Sequence, residues 1–324
     1  MQPTLPNHRM QDWPLLHRLW QRHCEPGYRA TSEDNALWRS QVRALYANHI
    51  AHPVALNFLL QERPSLEQFR TWVEESHAQY LLLADEHEQA LSEEDLQLSP
   101  SQLACWQENG YLVLPSVISA AACAESRAVV WDFLGASLHD PASWYSTHSK
   151  QPGLMLPLYN QVRLNTNRAS RRVQAAYQQL YGERAIYKTI DHLSFNPPET
   201  EHFSFRGDGV HWDVSLSLPI PERYQGLLYL TDCGAQDGAF HCVPGFQHRI
   251  ADWLASLPPK VDAREYAAKH LQKELQPVPG KAGDFVIWHQ ALPHCATANH
   301  GQTPRIVQYL AYIPVDEVVQ MEWL

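Results

Sequence analysis

His211-Trp212-Asp213 stands inside a β-like run, Gly209-Val-His-Trp-Asp-Val-Ser-Leu216. Along a strand, side chains i and i+2 leave the same face, so His211 and Asp213 are expected to project together, with Trp212 on the other side. A neutral imidazole beside a carboxylate offers two ligands to a divalent metal. The later stretch Trp288-His-Gln-Ala-Leu-Pro-His294 offers His289 and His294 as rivals for a third. Two histidines and one carboxylate on one face leave coordination positions open, the arrangement used by non-haem Fe(II) oxygenases. Arg305 follows eleven residues after His294. A guanidinium there can meet a carboxylate through two parallel hydrogen bonds, which suits a dicarboxylate cosubstrate. An HxD triplet alone occurs by chance in many chains of this length, and its weight here comes from the residues that accompany it.

The elements that must carry these residues change character near residue 98. Residues 1–98 read as a helical, acidic extension, with 8 Arg, no Lys and 14 Asp plus Glu. Leu37, Trp38, Val42, Leu45 and Tyr46 recur with helical spacing after the polar start at Thr31, and Leu66, Phe69, Trp72 and Val73 line one face of a second helix announced by Pro64-Ser65. Ser99-Pro-Ser-Gln102 has the form of a capping box with proline at the first helical position. From residue 99 to 324 the pattern turns to short β-like runs divided by Gly and Pro, expected at 111–114, 186–195, 210–218, 227–230, 239–243, 284–288 and 306–313. Helices are expected between them near 120–134, 169–181 and 249–257. Many short strands with such turns predict a sandwich or a barrel-like jelly roll. No internal repeat, GxGxxG or GxxxxGK[ST] phosphate loop is present.

Composition narrows the class of function. In 324 residues, 44% are hydrophobic and 19% charged, which excludes a disordered or low-complexity chain. A formal net charge of −10 argues against a nucleic-acid partner, because phosphates demand Lys and Arg. No apolar run approaches the roughly 18 residues of a membrane span. The first thirty residues lack the apolar stretch of a signal peptide, so a cytoplasmic location is expected. Six cysteines without CxxC or regular spacing predict thiols rather than disulfides. Eighteen histidines are far more than one metal centre uses, so most must be surface or core residues.

The ordered set of motifs resembles the phytanoyl-CoA dioxygenase family of Fe(II)/2-oxoglutarate oxygenases. The resemblance begins at Ser99-Pro-Ser-Gln-Leu-Ala-Cys-Trp-Gln-Glu-Asn-Gly-Tyr-Leu-Val-Leu-Pro115 and Leu193-Ser-Phe-Asn-Pro-Pro198. It continues through His211-Trp-Asp213, Asp237-Gly-Ala-Phe-His-Cys-Val-Pro-Gly-Phe-Gln-His248, Gly280 to His294, and Pro304-Arg305. It implies a double-stranded β-helix (jelly-roll, cupin-like) core with flanking helices. It implies iron on His211, Asp213 and His294, with Arg305 on 2-oxoglutarate. The implied reaction consumes 2-oxoglutarate and O2, releases succinate and CO2, and oxidises a C–H bond of a small-molecule metabolite. Halogenases of this superfamily carry Gly or Ala where Asp213 stands, so the carboxylate favours hydroxylation, or desaturation, ring closure or dealkylation. Two departures bear on secondary contacts to 2-oxoglutarate: Cys295-Ala296 replaces a small polar pair, and Leu227 stands where an aromatic is common.

Around this set, Lys188 and His192 could reach cosubstrate or substrate, and Arg163 is a weaker candidate for the same part. His241 and His248 read as structural. Glu201 to Asp208 is a candidate substrate rim, with Arg206 as an anchor for an acidic group. With only six lysines and no basic cluster for the phosphates of coenzyme A, a compact metabolite is the expected substrate. Two other classes remain open at this point: a non-catalytic jelly-roll binding protein, and a zinc hydrolase using the same three ligands. The N-terminal helices are a candidate surface for homo-oligomers.

Overall fold

The computed structural model describes residues 12–81, 91–146, 153–182, 184–320 and 322–324. Residues 1–11 and 82–90 of the expected helical extension therefore lie outside the described residues. Eleven strands are present among those described: β1 (Tyr111–Leu114), β2 (Met155–Leu156), β3 (Ile186–Lys188), β4 (Leu193–Asn196), β5 (Tyr224–Tyr229), β6 (Phe240–Cys242), β7 (Gln276–Val278), β8 (Phe285–His289), β9 (His294–Ala296), β10 (Arg305–Tyr309) and β11 (Tyr312–Pro314). They form a six-stranded sheet of order β1-β8-β5-β10-β4-β2, a three-stranded sheet β7-β6-β9 and a two-stranded ribbon β11-β3. Every pairing is antiparallel. This is the jelly-roll arrangement, with the two larger sheets facing each other and helices on the outer side.

The central strands are apolar on both faces because both faces are covered. Leu228, Leu230, Phe285, Ile287 and Ile306 point outward into a cluster with Leu164, Val173, Ala176 and Tyr177 of the covering helices. Their neighbours Leu227, Tyr229, Val286, Trp288 and Val307 point inward against Phe240, Cys242, Val278 and Cys295 of the smaller sheet. The period of two is intact, but burial on both sides turns it into a continuous apolar run. Gly226 sits where the layers come closest: a Cβ there would lie 2.5 Å from both the Phe285 ring and the Tyr177 hydroxyl.

Two expected strands are each two strands. The run 186–195 divides into β3 and β4, and the run 306–313 into β10 and β11, and the partners divide together. At the shared corner the Thr189 N–H donates to the Ala311 carbonyl and the Ala311 N–H to the Thr189 hydroxyl, at 2.8 and 2.9 Å. The expected strand 210–218 is not one. Within it, only His211 pairs, through an isolated bridge to His294. The short strands β2, β7 and β9 were not expected from the pattern, being two or three residues long. The helices expected near 120–134, 169–181 and 249–257 are found at Ala120–Leu134, Arg171–Tyr181 and Ile250–Ala255.

The capping box at Ser99 is formed, with the Ser99 N–H donating to Gln102 Oε1 and the Gln102 N–H to Ser99 Oγ, at 2.9 and 3.2 Å. The helix it starts, Pro100–Asn109, ends at Gly110 with φ 74°, a left-handed cap that suits glycine. It feeds directly into β1.

The N-terminal helices at Trp13–Cys24, Ser32–Ala47 and Leu66–Leu81 enclose their own apolar cluster of Leu16, Leu19, Leu45, Leu59, Phe69 and Val73. The second of these packs on β3. No helix among the described residues is long and apolar enough to cross a membrane. The junction of the first two helices centres on Asp34. Its carboxylate accepts from the Thr31 N–H at 2.6 Å, Arg18 Nε at 2.8 Å and the Tyr28 hydroxyl at 2.8 Å. The Thr31 amide first, and then Arg18, hold the Asp34 carboxyl well below the usual carboxylate range. A carboxyl lowered on folding stabilises the fold above its unfolded value and loses that contribution as pH falls through the folded value. Asp34→Asn is therefore expected to lower the urea midpoint at pH 7, with the deficit against the wild type shrinking as pH drops below about 4. Parallel urea titrations at pH 7 and pH 3 check this, and an equal deficit at both would remove the ionic contribution.

Candidate metal centre

The irregular segment around His211 meets β9 through one pair of backbone hydrogen bonds. The His211 N–H donates to the His294 carbonyl and the His294 N–H to the His211 carbonyl, both at 3.0 Å. This places the rings of His211 and His294 with centroids 4.7 Å apart, and brings Asp213 against both. His294 Nε2 lies 3.3 Å from Asp213 Oδ2, and His211 Nε2 lies 3.8 Å from Asp213 Oδ1. One ligand atom from each of the three lies within 4.8 Å of the others.

The tautomers follow from the backbone. His211 Nδ1 is 2.7 Å from the Gly209 carbonyl and His294 Nδ1 is 3.0 Å from the Leu292 carbonyl. A carbonyl only accepts, so each Nδ1 carries a hydrogen and each ring turns its Nε2 toward Asp213; in its neutral form His211 presents a lone pair there. Burial, and then the neighbouring His294, lower the His211 pKa below its ordinary value and favour that neutral ring. Burial would raise the Asp213 carboxyl, but contacts from His294 and Gln225 outweigh it and hold the group ionised. The result is two imidazole Nε2 atoms and an ionised carboxylate converging on one point, with His294 Nε2 within hydrogen-bond distance of Asp213 Oδ2. That donor set calls for a cation, and it fits a divalent metal with nitrogen and oxygen preference.

A second group of atoms is unsatisfied nearby. Arg305, the first residue of β10, is 1% exposed. Its Nε and Nη1 have no hydrogen-bond partner, and it forms no ion pair among the described residues. The Tyr229 ring lies 5.9 Å from the guanidinium. Leaving a buried charge unpaired costs several kcal/mol, on the order of the penalty for a desolvated ion. Unpartnered N–H donors on a buried guanidinium fit an anionic ligand with oxygen acceptors, as 2-oxoglutarate has. Arg305 and the three candidate ligands line one cavity of about 590 Å3, together with Phe240, Trp288 and Tyr224.

Asp213 has a further partner that the sequence did not disclose. Gln225 Nε2 donates to Asp213 Oδ2 at 2.7 Å, and Gln225 Oε1 accepts from Trp288 Nε1 at 3.1 Å. Gln225 and Trp288 are register partners in β5 and β8, so only strand pairing brings them together. No spacing signal links residue 225 to residue 213 or 288.

The other candidates separate by where their side chains go. His289 is not in the cavity wall. It accepts from the Ala291 N–H at 3.0 Å, packs against Tyr224, and burial pushes its pKa down to about 4. Lys188 is likewise absent from the wall and contacts His49 Nδ1 at 2.8 Å, in the N-terminal layer; burial pushes its amine down to about 7. Its β3 strand belongs to the ribbon beyond the corner, which carries it away from the cavity. Arg163 pairs with Glu125 at 3.0 Å on the surface. His241 and His248 bond to the carbonyls of Ala239 and Gln107. Trp212 is buried and donates to the Ala291 carbonyl at 2.9 Å. Leu227 is buried between the sheets, while Cys295 and Ala296 reach the cavity wall. His192, Arg206 and Asp208 line the cavity, as does Asp191, which pairs with His192 at 2.8 Å.

Known proteins share the fold. The family model for phytanoyl-CoA dioxygenase matches residues 106–307. A Dictyostelium discoideum protein described as "Putative phytanoyl-CoA dioxygenase" is 21% identical over 266 residues, 66% of this chain and 75% of that protein. Among solved structures, EctD from S. alaskensis superposes with a TM-score of 0.51 at 20% identity, covering 71% of this chain and 81% of its own. The epimerase SnoN, in complex with Fe3+, alpha ketoglutarate and nogalamycin RO, does so with a TM-score of 0.50 at 17% identity, covering 68% and 85%. The two structures share the fold, and the family match adds the chemistry of iron, 2-oxoglutarate and O2. The chain belongs to the phytanoyl-CoA dioxygenase family and is a non-haem iron, 2-oxoglutarate-dependent oxygenase.

Proposed function

We propose that His211, Asp213 and His294 hold the iron, that Arg305 receives the distal carboxylate of 2-oxoglutarate, and that the enzyme hydroxylates an unactivated C–H bond of a compact metabolite. The observation that carries this reading is the buried Arg305 guanidinium, with Nε and Nη1 unpartnered, in the wall of the cavity that contains the three candidate ligands. When bound, iron and 2-oxoglutarate supply the oxidising power, with release of succinate and CO2. The chain's own part is binding, orientation and exclusion of water. Gln225 holds the Asp213 carboxylate in place, and the Gly209 and Leu292 carbonyls fix the imidazoles. Trp288 and Phe240 dry the wall beside His294. Lys188 has no part in holding 2-oxoglutarate in this reading, since it turns to His49.

A zinc hydrolase on the same ligands would leave Arg305 buried without a counter-ion, and a non-catalytic binding protein is set aside by the family match. The substrate is read from the rim. Arg206, stacked on Phe203 at 4.9 Å and otherwise without an ion pair among the described residues, is the anchor for an acidic group. Asp191, His192 and Asp208 supply polar contacts on the same wall. A cavity of about 590 Å3 that must also hold 2-oxoglutarate suits a small molecule. Which oxidation follows, whether hydroxylation or desaturation, ring closure or dealkylation, depends on that molecule. Residues 1–98 act in this proposal as a helical extension docked on the 99–324 oxygenase domain, with its exposed side, where Leu60 protrudes, available for self-association. All six cysteines are free thiols, which supports a reducing, cytoplasmic setting.

Purified protein given Fe(II), 2-oxoglutarate and O2 is expected to form succinate slowly even without its substrate. EDTA should stop this, added Fe(II) should restore it, and His211→Ala should bring it to background. Succinate at background in the wild type, without iron or 2-oxoglutarate binding, would sink the assignment. Arg305→Gln keeps a polar side chain but loses the charged fork, a charge-assisted interaction of about 1.5–3 kcal/mol. Its apparent KM for 2-oxoglutarate is expected to rise about tenfold to a hundredfold in succinate kinetics, with metal affinity unchanged.

A further inference from the structure

The segment that carries two of the three candidate ligands is held by little regular structure. Apart from the single bridge at His211, residues 210–218 join no strand ladder. Asp213 is also the least enclosed of the three, with 54% of its side chain exposed against 6% for His294. Packing therefore does not fix the direction of its carboxylate. The carbonyls on either side of it, at Trp212 and Val214, sit on buried residues and need donors from elsewhere.

Arg264 supplies both. Its Nη1 donates to the Trp212 carbonyl at 2.8 Å and its Nη2 to the Val214 carbonyl at 2.7 Å. Although the backbone bends at Asp213 and Val214, the carbonyls on either side of Asp213 lie close enough for one planar guanidinium to reach both. Clamping the peptide planes on both sides of Asp213 fixes the direction in which its side chain leaves the backbone. Arg264 is itself held. It lies in the first turn of the helix Ala263–His270, whose cap residue Asp262 accepts from the Arg264 and Glu265 amides. Ala267 and Leu271 anchor that helix in the cluster between the sheets.

Gln320, Trp323 and Leu324 close over the same place. The Leu324 carbonyl accepts from Arg264 Nη2 at 2.9 Å and from the Leu216 N–H at 3.2 Å, while the Leu324 N–H donates to Ser215 Oγ at 3.0 Å. Gln320 Nε2 donates to the carbonyls of Ser215 and Ser217 at 3.0 and 2.6 Å. The Trp323 ring covers the guanidinium at 5.2 Å. Arg264 pairs with no Asp or Glu side chain among the described residues, so its donors are directed at main-chain oxygens. Shielding by the Trp323 ring strengthens those hydrogen bonds by keeping water from competing for the carbonyls.

We propose that Arg264, covered by Trp323 and Leu324, is a positioning residue that sets the aim of the Asp213 carboxylate from the outer side of the segment. The inference rests on the assignment of the metal to His211, Asp213 and His294. It assigns Arg264 a role on the ligand's backbone, while Gln225 acts on the carboxylate from the cavity side.

The test is Co(II) binding to the metal-stripped full chain, read by calorimetry and by the visible absorption of the bound Co(II). Arg264→Ala is expected to raise the Co(II) dissociation constant about tenfold to a hundredfold, the usual cost of losing an outer-shell partner, and to change the Co(II) band. Arg264→Gln, which keeps one amide donor but no fork, should fall between Arg264→Ala and the wild type and serves if the alanine variant does not fold. Val73→Ala, in the separate N-terminal cluster, provides a control for general loosening of the fold and should leave the constant within about twofold. An unchanged constant and band in the Arg264 variants, or an equal loss in Val73→Ala, overturns the positioning role alone. A wild type that binds no Co(II) overturns the metal assignment and this inference with it.

Discussion

One pair of backbone hydrogen bonds, between His211 and His294, joins the two parts of the chain that carry the candidate ligands. The residues are more than eighty apart in sequence, and neither part would hold the other without the sheets behind them. His294 is at the first position of β9, which is tied to β6, and β6 to β7. The His211 segment has no such ladder and depends on side chains: Trp212 reaching the Ala291 carbonyl, and Arg264 reaching the carbonyls around Asp213. A rigid strand thus presents one ligand, and a tethered irregular segment presents two. Irregular backbone is tolerated there because polar side chains meet its carbonyls.

The electrostatics of the cavity are arranged around charges that protein partners do not fully satisfy. Asp213 faces the Nε2 atoms of two imidazoles, and Arg305 carries two nitrogen donors without partners in a buried wall. Such groups destabilise a fold unless a ligand completes them, so the cavity is built at a cost in stability that metal and carboxylate binding would offset. The surrounding apolar clusters make this tolerable. Tyr229, Trp288 and Phe240 are fixed between the two sheets by packing on both sides, and they keep the polar groups from relaxing toward one another.

The N-terminal layer is more than an appendage to this core. It has its own apolar cluster, yet it also docks through the Lys188–His49 contact and through Asn160, whose side chain accepts from the Ala51 N–H at 2.8 Å. Tyr46, Ala51 and Ile190 form a small shared cluster at the junction. Arg168 is buried behind this junction and donates to the carbonyls of Tyr159 and Asp191, the second of which belongs to a residue lining the cavity. The N-terminal helices therefore back the wall that carries Asp191 and His192.

The linear pattern alone carried the class of fold and the capping box at Ser99, and it proposed a break near residue 98 and the candidates His211, Asp213, His294 and Arg305. Each depends on local rules: spacing along the chain, turn residues, and residue types that metal and carboxylate chemistry require. What it left open depended on distant parts of the chain. His289 and His294 are separated by the turn at Gln290–Leu292, which leaves His289 outside the cavity wall and His294 in it beside His211. Lys188 was carried away from the cavity by a corner that two paired strands turn together, and an apolar run records no such corner. Gln225 and Arg264 meet the Asp213 segment only because strand register and helix packing place them there. Tertiary packing set these contacts because hydrogen bonds and charges act over a few ångströms in space, whatever their separation along the chain.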